Sequence, residues 1–498
     1  MLPCTYQNPV KTRMNHASNI AIILSGALLL GSQEAYTMNS NVPVPWGYKC
    51  SPPQTPELAF YSPQSETLLF EKSEPIEIFC QSGLRAVGLK WSLHRNMIQK
   101  PFLEGNAESL PSNRFKITID PSKLQPGFYD IKVKLDHGTD KPLEGVCVFG
   151  WQPEKMALRE TRPADFLNFW QWALAEYTKL PLDVRIEDEV KIFRGKEIDD
   201  YNVRSAALPP DYDPAGHRCE EVESCKMSFA GPDGGRVYGW LAKPKGNGPF
   251  PAMLVLPGAG FGARPRPLEQ ARHGYLALDI QIHGQEVNLE KYESIPGYND
   301  HQVYEPADQF YFRNVYLRAA KAVEYLLSRP DVSKDRLAVV GGSQGGRLSI
   351  IVAALDKRVA AIVPCIANSP NYPHLAWVAR CNGLKSPTDN PGTPGYQLGP
   401  QTDGMELDGA PPQPATPEGR CWSYYDPMNF APDIHCPVLM NAGLIDPISP
   451  PYSVWAVYNR LGSADKKIIP LPGLGHDWSA EFDRRAWRWL DRQFNRAQ

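Results

Sequence analysis

The sequence predicts two folded parts: a small all-β sandwich, then an α/β domain whose mostly parallel sheet has helices on both faces. Residues 40–155 show short alternating strands separated by turns, which is typical of a sandwich. Beyond about residue 250, apolar strands alternate with helical patterns, as in α/β domains. A length of 498 residues leaves room for both parts. We therefore assign residues 40–155 to the sandwich and residues 156–498 to the α/β domain.

The composition excludes several classes of protein. Hydrophobic residues make up 42% and charged residues 21% of the chain, as in ordinary globular proteins. The net charge of −3 lacks the basic excess that nucleic-acid binding requires, so no nucleic-acid partner is predicted. The ten cysteines form no C-x-x-C pair, so zinc binding is not predicted.

Residues 1–37 have the pattern of an export signal. Lys11 and Arg13 precede an apolar run over residues 20–31, which is too short to span a bilayer. The alternative is a hydrophobic N-terminal helix. The signal predicts a secreted or periplasmic protein with no transmembrane segment in its mature chain. In that compartment Cys219 and Cys225 could be oxidised.

The sandwich has immunoglobulin-like features. Cys80 followed by Trp91 resembles the strand B and strand C positions of such domains, and Pro-Gly-Phe-Tyr at 126–129 resembles the turn into strand F. No cysteine follows Tyr129 at the position of the usual disulfide. We predict a module that supports the next domain, with carbohydrate binding as the alternative. Its strands are expected at 76–80, 86–93, 115–119, 127–135 and 145–150.

The α/β domain is predicted to begin with an amphipathic helix over 165–180 and a hairpin of strands 224–230 and 236–242. Its later strands are predicted at 252–256, 275–280, 336–341, 359–365, 437–443 and 466–471, with helices between them. Residues 371–431 are too long and too rich in Pro, Gly, Asp and Thr for a simple connection. We predict an insertion there, beside the functional site, with a disordered surface loop as the alternative.

The turn at 341–345, Gly-Gly-Ser-Gln-Gly, carries the main chemical signal. Ser343 lies between an apolar strand and a helical pattern, the context of a nucleophile elbow. Gly341 and Gly345 leave room for a strained serine and a closely packed helix. The helix N-terminus favours a developing negative charge. The alternative is a plain Gly-rich turn.

A nucleophilic serine needs a histidine base, itself oriented by a carboxylate. In α/β-hydrolases these follow in the order Ser, acid, His. Asp446 and His476 satisfy this order, and each follows the carboxyl end of a predicted strand. The alternatives are a turn or N-cap role for Asp446 and a surface loop for His476. Asp426 and Asp433 precede their strand and are weaker acid candidates.

Acyl transfer also needs donors for the oxyanion of the tetrahedral intermediate. One is expected to be the backbone N–H of Gln344, the residue after the nucleophile. The second is expected from the loop Pro-Gly-Ala-Gly-Phe-Gly at 257–262, where we choose the N–H of Ala259 over its neighbours Gly258 and Gly260. A phosphate-binding loop is excluded because no Lys-Ser/Thr pair follows.

From residue 165 to the last residue, the chain resembles the acetyl xylan esterase/cephalosporin C deacetylase family, the seventh family of carbohydrate esterases. Four motifs carry the resemblance: Ser-Gln-Gly-Gly at 343–346, Phe-Tyr-Phe-Arg-Asn-Val-Tyr at 310–316, Ser-Tyr-Tyr-Asp with Asn-Phe-Ala at 423–431, and the acid motif at 443–451. The resemblance implies an α/β-hydrolase fold and a serine esterase that removes acetyl groups from sugars such as xylo-oligosaccharides, with no cofactor. Family members often form hexameric rings, so a homo-oligomer is possible unless the sandwich prevents it.

Three positions depart from the family pattern. The R-G-Q motif reads His283-Gly-Gln285, H-G-Y reads Pro-Gly-Ala at 257–259, and H-E reads His476-Asp. The resemblance makes His283, Gln285 and Tyr311 candidates for the substrate pocket. Two alternatives stay open: a hydrolase of another ester or a peptide, and a non-catalytic carbohydrate-binding protein on a hydrolase fold.

Overall fold

The structure is a computed structural model that describes residues 57–156, 161–206, 208, 212–298, 306–368, 378 and 417–494. The predicted leader and most of the predicted insertion lie outside these residues. Among the described residues, no helix has both the length and the apolar composition needed to cross a bilayer.

Two packed sheets form the N-terminal part of the described chain. Their strands are β1 (Leu58–Tyr61), β2 (Leu69–Phe70), β3 (Ile76–Ser82), β4 (Gly88–Arg95), β5 (Leu103–Asn106), β6 (Glu108–Leu110), β7 (Arg114–Ile119), β8 (Gly127–Asp136) and β9 (Leu143–Trp151). One sheet has the order β1-β3-β7-β6 and the other β2-β9-β8-β4-β5. Every second residue of β3 is buried, as expected of a strand with one face on a core. The predicted all-β region is confirmed.

The start of β8 has the tyrosine corner that is typical of immunoglobulin-like sandwiches. The Tyr129 hydroxyl donates a hydrogen bond to the carbonyl oxygen of Gln125 at 2.7 Å. The same hydroxyl accepts one from the Gln125 N–H at 2.9 Å. This pair of bonds fixes the turn that leads into β8.

The second part of the chain contains one ten-stranded sheet. Its strands are β10 (Arg185–Ile186), β11 (Lys191–Arg194), β12 (Glu221–Ala230), β13 (Arg236–Pro244), β14 (Phe250–Leu256), β15 (Leu276–Ile280), β16 (Val332–Gly342), β17 (Ala361–Cys365), β18 (Val438–Gly443) and β19 (Lys466–Leu471). The order is β10-β12-β13-β15-β14-β16-β17-β18-β19, with β11 also paired to β12. All pairs from β15 to β19 along this order are parallel, so their carboxyl ends lie at one edge.

Helices cover both faces of this sheet, and the predicted α/β-hydrolase fold is confirmed. They are α1 (Phe166–Thr178), α2 (Gly195–Ala206), α3 (Leu268–Arg272), α4 (Tyr311–Ser328), α5 (Gln344–Leu355), α6 (Pro417–Ser423), α7 (Pro427–Phe430), α8 (Pro451–Arg460) and α9 (Ala480–Gln493). β14 and β16 each contain at least four consecutive buried apolar side chains. Both faces of these strands are buried because helices cover the sheet on both sides.

The sandwich packs against the second part of the chain through aromatic and polar contacts. The rings of Phe128 in β8 and Trp455 in α8 lie 4.9 Å apart, and Trp455 is fully buried. The Asn459 side chain donates a hydrogen bond to the carbonyl oxygen of Pro153 at 2.9 Å. The sandwich is therefore in direct contact with a helix that follows the predicted acid.

Two features differ from the sequence prediction. The end of the predicted insertion forms α6 and α7; Tyr425, which lies between them, is buried in the core, as are Met428 and Phe430 of α7. These two helices are too short to show a helical period in a sequence that is rich in proline and glycine. Cys219 and Cys225 are both free thiols, so the structure does not contain the oxidised pair that export would allow.

Candidate active site

Ser343 lies in the sharp turn between β16 and α5. Its backbone has φ 55° and ψ −117°, a positive φ that is uncommon for any residue other than glycine. Such a conformation costs about 1–3 kcal/mol and persists only where neighbouring contacts enforce it. The Ser343 N–H donates to the carbonyl oxygen of Cys365, and the Ser343 carbonyl accepts from the N–H of Asn368. The strand β17 and the chain that follows it therefore hold the serine in place.

Two glycines allow the turn to be this tight. A Cβ at Gly341 would lie 2.3 Å from the carbonyl carbon of Gly345, and a Cβ at Gly345 would lie 2.2 Å from the carbonyl oxygen of Leu256. No side chain fits at either position. The N-terminus of α5 is therefore packed directly on the end of β14, as in a nucleophile elbow.

A third close approach brings Asp446 and His476 together. A Cβ at Gly443 would lie 2.4 Å from the carbonyl oxygen of Leu474, in the loop after β19. The Ile445 N–H donates a hydrogen bond to that same oxygen. The loops after β18 and β19 are thus joined at the carboxyl edge of the sheet, beside the elbow.

The structure brings the three predicted triad residues into one hydrogen-bonded line. The Nε2 atom of His476 lies 3.0 Å from the Oγ of Ser343, and the Nδ1 atom of His476 lies 2.8 Å from the Oδ2 of Asp446. The other carboxylate oxygen of Asp446 accepts the N–H groups of Ile448 and Ser449, each at 2.8 Å. The side chains of Asp446 and His476 have no exposed area. This geometry allows His476 to take a proton from Ser343 while Asp446 holds its tautomer.

The two weaker acid candidates have other partners. Asp426 caps the N-terminus of α7 by accepting the Met428 N–H at 2.9 Å. Asp433 forms an ion pair with Arg162 at 2.8 Å. Both side chains therefore have structural contacts away from His476.

The loop after β14 and the start of α5 are linked by hydrogen bonds. The Gln344 side chain accepts from the Tyr298 hydroxyl at 3.0 Å and donates to the carbonyl oxygen of Gly258 at 3.3 Å. The same hydroxyl accepts the N–H of Gly260 at 2.8 Å. Ala259, the predicted oxyanion donor, thus lies between two anchored glycines. The N–H of Gln344 belongs to the first turn of α5, where backbone donors have no partner within the helix.

His283 lies behind this loop and is nearly completely buried, with 4% of its surface exposed. Its Nε2 is 3.1 Å from the carbonyl oxygen of Gly260, and its Nδ1 is 2.7 Å from the Tyr311 hydroxyl. Burial lowers the pKa of His283 to about 3, so the imidazole is neutral. A carbonyl can only accept, so Nε2 carries the proton and Nδ1 accepts from Tyr311.

A cavity of about 430 Å³ borders His283 and Tyr311. Asp308, Gln309 and Arg313 also line it. Asp308 Oδ1 and Arg313 Nε are buried and have no hydrogen-bond partner among the described residues. The carboxylate, amide and guanidinium side chains in this lining can form hydrogen bonds with a hydroxyl-rich molecule.

Gln285, the third pocket candidate, is directed elsewhere. Its side-chain nitrogen donates to the carbonyl oxygen of Glu293 at 2.7 Å and so ties the loop that follows β15. The described lining of the cavity does not include it.

The family model described as acetyl xylan esterase (AXE1) matches residues 196–389 and 419–493, more than half of the chain. The chain belongs to the acetyl xylan esterase family. It is therefore an esterase, a hydrolase that acts on ester bonds.

Two kinds of relative resemble this acetyl xylan esterase family member. An acetyl esterase, Axe7A, from Xylanibacter ruminicola is 28% identical over 429 residues, which cover 83% of this chain and 85% of that protein. Solved acetyl xylan esterases from Paenibacillus sp. R4 and from Thermoanaerobacterium sp. JW/SL YS485 each have a TM-score of 0.50 and 23% identity. Each covers 68% of this chain, and the matches span 98% and 97% of those chains. These two structures share the fold.

One residue of this family member's site was missed by sequence reasoning. Tyr298 joins Gly260 to Gln344 through its hydroxyl, yet it lies in an irregular loop with no motif around it. Its contacts depend on the folding of three separate segments onto one another. No signal in the sequence would have identified it.

Proposed function

We propose that this protein is a serine esterase that removes acetyl groups from acetylated sugars, such as xylo-oligosaccharides, through an acyl-enzyme on Ser343. The observation that carries the proposal is the line of hydrogen bonds from Ser343 through His476 to Asp446, at 3.0 and 2.8 Å. Membership of the acetyl xylan esterase family and the names of its relatives support acetyl groups on sugars as the substrate.

In the first half-reaction, the Ser343 Oγ attacks the ester carbonyl while His476 Nε2 takes the hydroxyl proton. The carbonyl oxygen becomes an oxyanion, for which the N–H groups of Gln344 and Ala259 are the proposed donors. Collapse of this intermediate breaks the bond to the sugar oxygen, and His476 gives its proton to that oxygen. The sugar leaves as an alcohol, and the acetyl group remains on Ser343.

In the second half-reaction, His476 removes a proton from water, which attacks the acetyl-serine carbonyl. The second tetrahedral intermediate collapses to release acetate, and the proton returns to the Ser343 oxygen. Asp446 accepts the Nδ1–H of His476 throughout and stabilises the imidazolium. This chemistry needs no cofactor.

The cavity beside His283 and Tyr311 supports a sugar as the alcohol part of the ester. Its lining supplies carboxylate, amide and guanidinium groups, which can bind hydroxyls through hydrogen bonds. Acetate release from acetylated xylo-oligosaccharides, compared with butyryl and peptide substrates, tests this choice.

The decisive variant is Ser343→Ala, assayed with p-nitrophenyl acetate and with acetylated xylo-oligosaccharide. We expect kcat to fall by at least about 10³-fold, because the nucleophile is lost. Ser349→Ala is the matched control, since Ser349 is a buried serine of α5, the helix that follows Ser343, and its hydroxyl donates to the Gly345 carbonyl oxygen. Undiminished hydrolysis by Ser343→Ala would contradict the mechanism. No turnover by the wild type, with retention of Ser343→Ala protein on insoluble xylan, would instead support a non-catalytic binding protein.

We also propose that the protein is exported, on the basis of the predicted leader at residues 1–37. Activity in the periplasmic or culture fraction, lost from that fraction when residues 1–37 are deleted, is the expected result. If the full-length protein and the protein without residues 1–37 were distributed in the same way between the cell fractions, the proposal of export would be contradicted.

A further inference from the structure

A buried cluster of two histidines and a glutamate lies outside the proposed catalytic machinery. Glu269 is in α3, His273 caps the C-terminal end of that helix, and His217 comes from the segment that precedes β12. Glu269 and His273 are 3% and 2% exposed, and the His217 side chain is 11% exposed. The spacing of four residues places Glu269 and His273 on the same face of the helix.

The ligand atoms of these residues converge on one point. His217 Nε2 lies 2.9 Å and His273 Nε2 lies 3.3 Å from the same oxygen, Oε1 of Glu269. All three atoms lie within 4.8 Å of one another. In a tetrahedral site with bonds of 2.0–2.1 Å, ligand atoms are about 3.3–3.4 Å apart. Two edges of the cluster are within a few tenths of an ångström of that value.

The two imidazole rings lie edge to face. Their centroids are 5.6 Å apart and their planes are nearly perpendicular, at 89°. The ring of Trp487 in α9 stacks on His273 at 4.0 Å and fixes the plane of that imidazole. A Cβ at Gly216 would lie 2.1 Å from Cε1 of His273, so the segment that carries His217 is pressed against the second histidine.

A further side chain orients the carboxylate. Oε2 of Glu269 accepts a hydrogen bond from the Asn202 amide in α2 at 2.8 Å, which leaves Oε1 facing both imidazoles. Protein metal sites commonly have such a second partner on each ligating carboxylate. The cluster thus has three candidate ligands, and Asn202 orients one of them, the carboxylate of Glu269.

We propose that His217, Glu269 and His273 bind one divalent transition-metal ion of the Zn²⁺ type, with water as the fourth ligand. Two imidazoles and one carboxylate suit Zn²⁺, Co²⁺ or Ni²⁺, whereas Mg²⁺ and Ca²⁺ prefer sites made only of oxygen ligands. The ion takes the place of the Nε2 proton that otherwise connects His217 to Glu269, and it binds the deprotonated Nε2 of His273. It joins the segment before β12 to α3 and, through Trp487, to the C-terminal helix. Its role is structural.

The test uses the full-length wild-type protein, freed of metal by a chelator and then titrated with Zn²⁺. We expect one equivalent of Zn²⁺ to bind and to raise Tm, and Mg²⁺ at the same concentration to do neither. Co²⁺ should give the visible absorption of a four-coordinate ion. Absence of one-equivalent Zn²⁺ binding by the wild type would overturn the proposal and leave a hydrogen-bonded network only.

Variants locate the ion. Glu269→Gln preserves the volume and a hydrogen-bond acceptor but removes the charge, and it should abolish one-equivalent binding. Asn202→Ala, which removes the orienting amide, should weaken the Zn²⁺ affinity by about 10- to 100-fold.

His435→Gln is the control, because His435 is an exposed histidine outside the cluster. The Zn²⁺ affinity of this variant should equal that of the wild type. If Glu269→Gln and His217→Gln both bind Zn²⁺ as the wild type does, the site is elsewhere and the assignment is wrong. If Glu269→Gln does not fold, the Zn²⁺ affinity of Asn202→Ala and the Co²⁺ spectrum of the wild type test the site instead.

Discussion

The Nε2–H of His283 donates a hydrogen bond to the carbonyl oxygen of Gly260 at 3.1 Å, directly behind the loop that carries Ala259. A buried neutral imidazole therefore holds the proposed oxyanion loop in position. In the family pattern that this chain resembles, the position of His283 is an arginine. The substitution replaces a permanently charged side chain with a group whose charge depends on pH.

We expect His283→Ala to lower kcat by about 10- to 100-fold with a smaller change in KM, because a displaced donor weakens transition-state stabilisation. Steady-state kinetics on p-nitrophenyl acetate measure both constants. His94→Ala is the control, since His94 is an equally buried histidine of the sandwich that also bonds a backbone carbonyl. It should lower stability without changing kcat per folded molecule. Equal kcat losses in the two variants would show that His283 has no positioning role.

His283 also predicts a pH dependence of stability. Burial lowers its pKa from 6.5 to about 3, so between these values the unfolded chain binds a proton that the folded protein does not. The stability of the wild type should therefore fall as the pH drops from about 6.5 towards 3, by up to about 1.4 kcal/mol per pH unit from this group. Above about pH 6.5 the group is neutral in both states and contributes no slope.

Urea unfolding at several pH values measures this effect as the difference between the wild type and His283→Gln. Because glutamine does not titrate, His283→Gln should lose less stability than the wild type as the pH falls. The free energy of unfolding of the wild type minus that of the variant should therefore decrease towards low pH. A difference that is constant from pH 7 to pH 4 would contradict the assignment.

The Tyr298 hydroxyl accepts from Gly260 and donates to Gln344, so it connects both sides of the proposed oxyanion hole. Tyr298→Phe leaves the Gly260 N–H without this partner, which should cost about 1–3 kcal/mol of stability and lower kcat. Tyr292→Phe removes a comparable tyrosine hydroxyl, which bonds the backbone of Leu289 and Glu286. That control should lose stability only. Thermal unfolding and kcat, measured on both variants, separate the two effects.

Gly345→Ala tests the tight elbow. Its Cβ would lie 2.2 Å from the Leu256 carbonyl oxygen, a backbone atom of β14. We expect a loss of at least about 3 kcal/mol in the free energy of unfolding, at the upper end of overpacking costs. Gly88→Ala, where a Cβ meets nothing within 4 Å, should change stability by about 0.5 kcal/mol or less. Chemical denaturation of both proteins checks the contrast, and similar stabilities would show that the elbow is looser than described.

The sequence was sufficient to predict the fold and the placement of Ser343, Asp446 and His476. Each lies in a short motif after an apolar strand, and parallel strands bring such motifs to one edge of the sheet. Strand and helix boundaries agree with the structure to within a few residues for most of the predicted elements. The edge strands β10 and β11 were not predicted, because β10 has two residues and β11 four, too few to show an alternating pattern.

Other features depend on contacts between distant segments, which local patterns do not encode. Tyr298 and Gln344 are 46 residues apart, and His217 and Glu269 are 52 residues apart. The helix α2, which carries Asn202, has a predominantly polar sequence and a buried face of only three residues. Gln285 was expected in the pocket from a motif, yet it bonds to its own loop. Side-chain direction in loops is set by tertiary contacts.

Ser343 is the proposed nucleophile of this esterase. A fluorophosphonate reacts covalently with an activated serine, so peptide mass mapping after labelling identifies the residue directly. We predict one adduct, on the peptide that contains Ser343, its absence from Ser343→Ala, and slower labelling of the wild type while excess acetyl ester is present. An adduct on a different serine, retained in Ser343→Ala, would contradict the account.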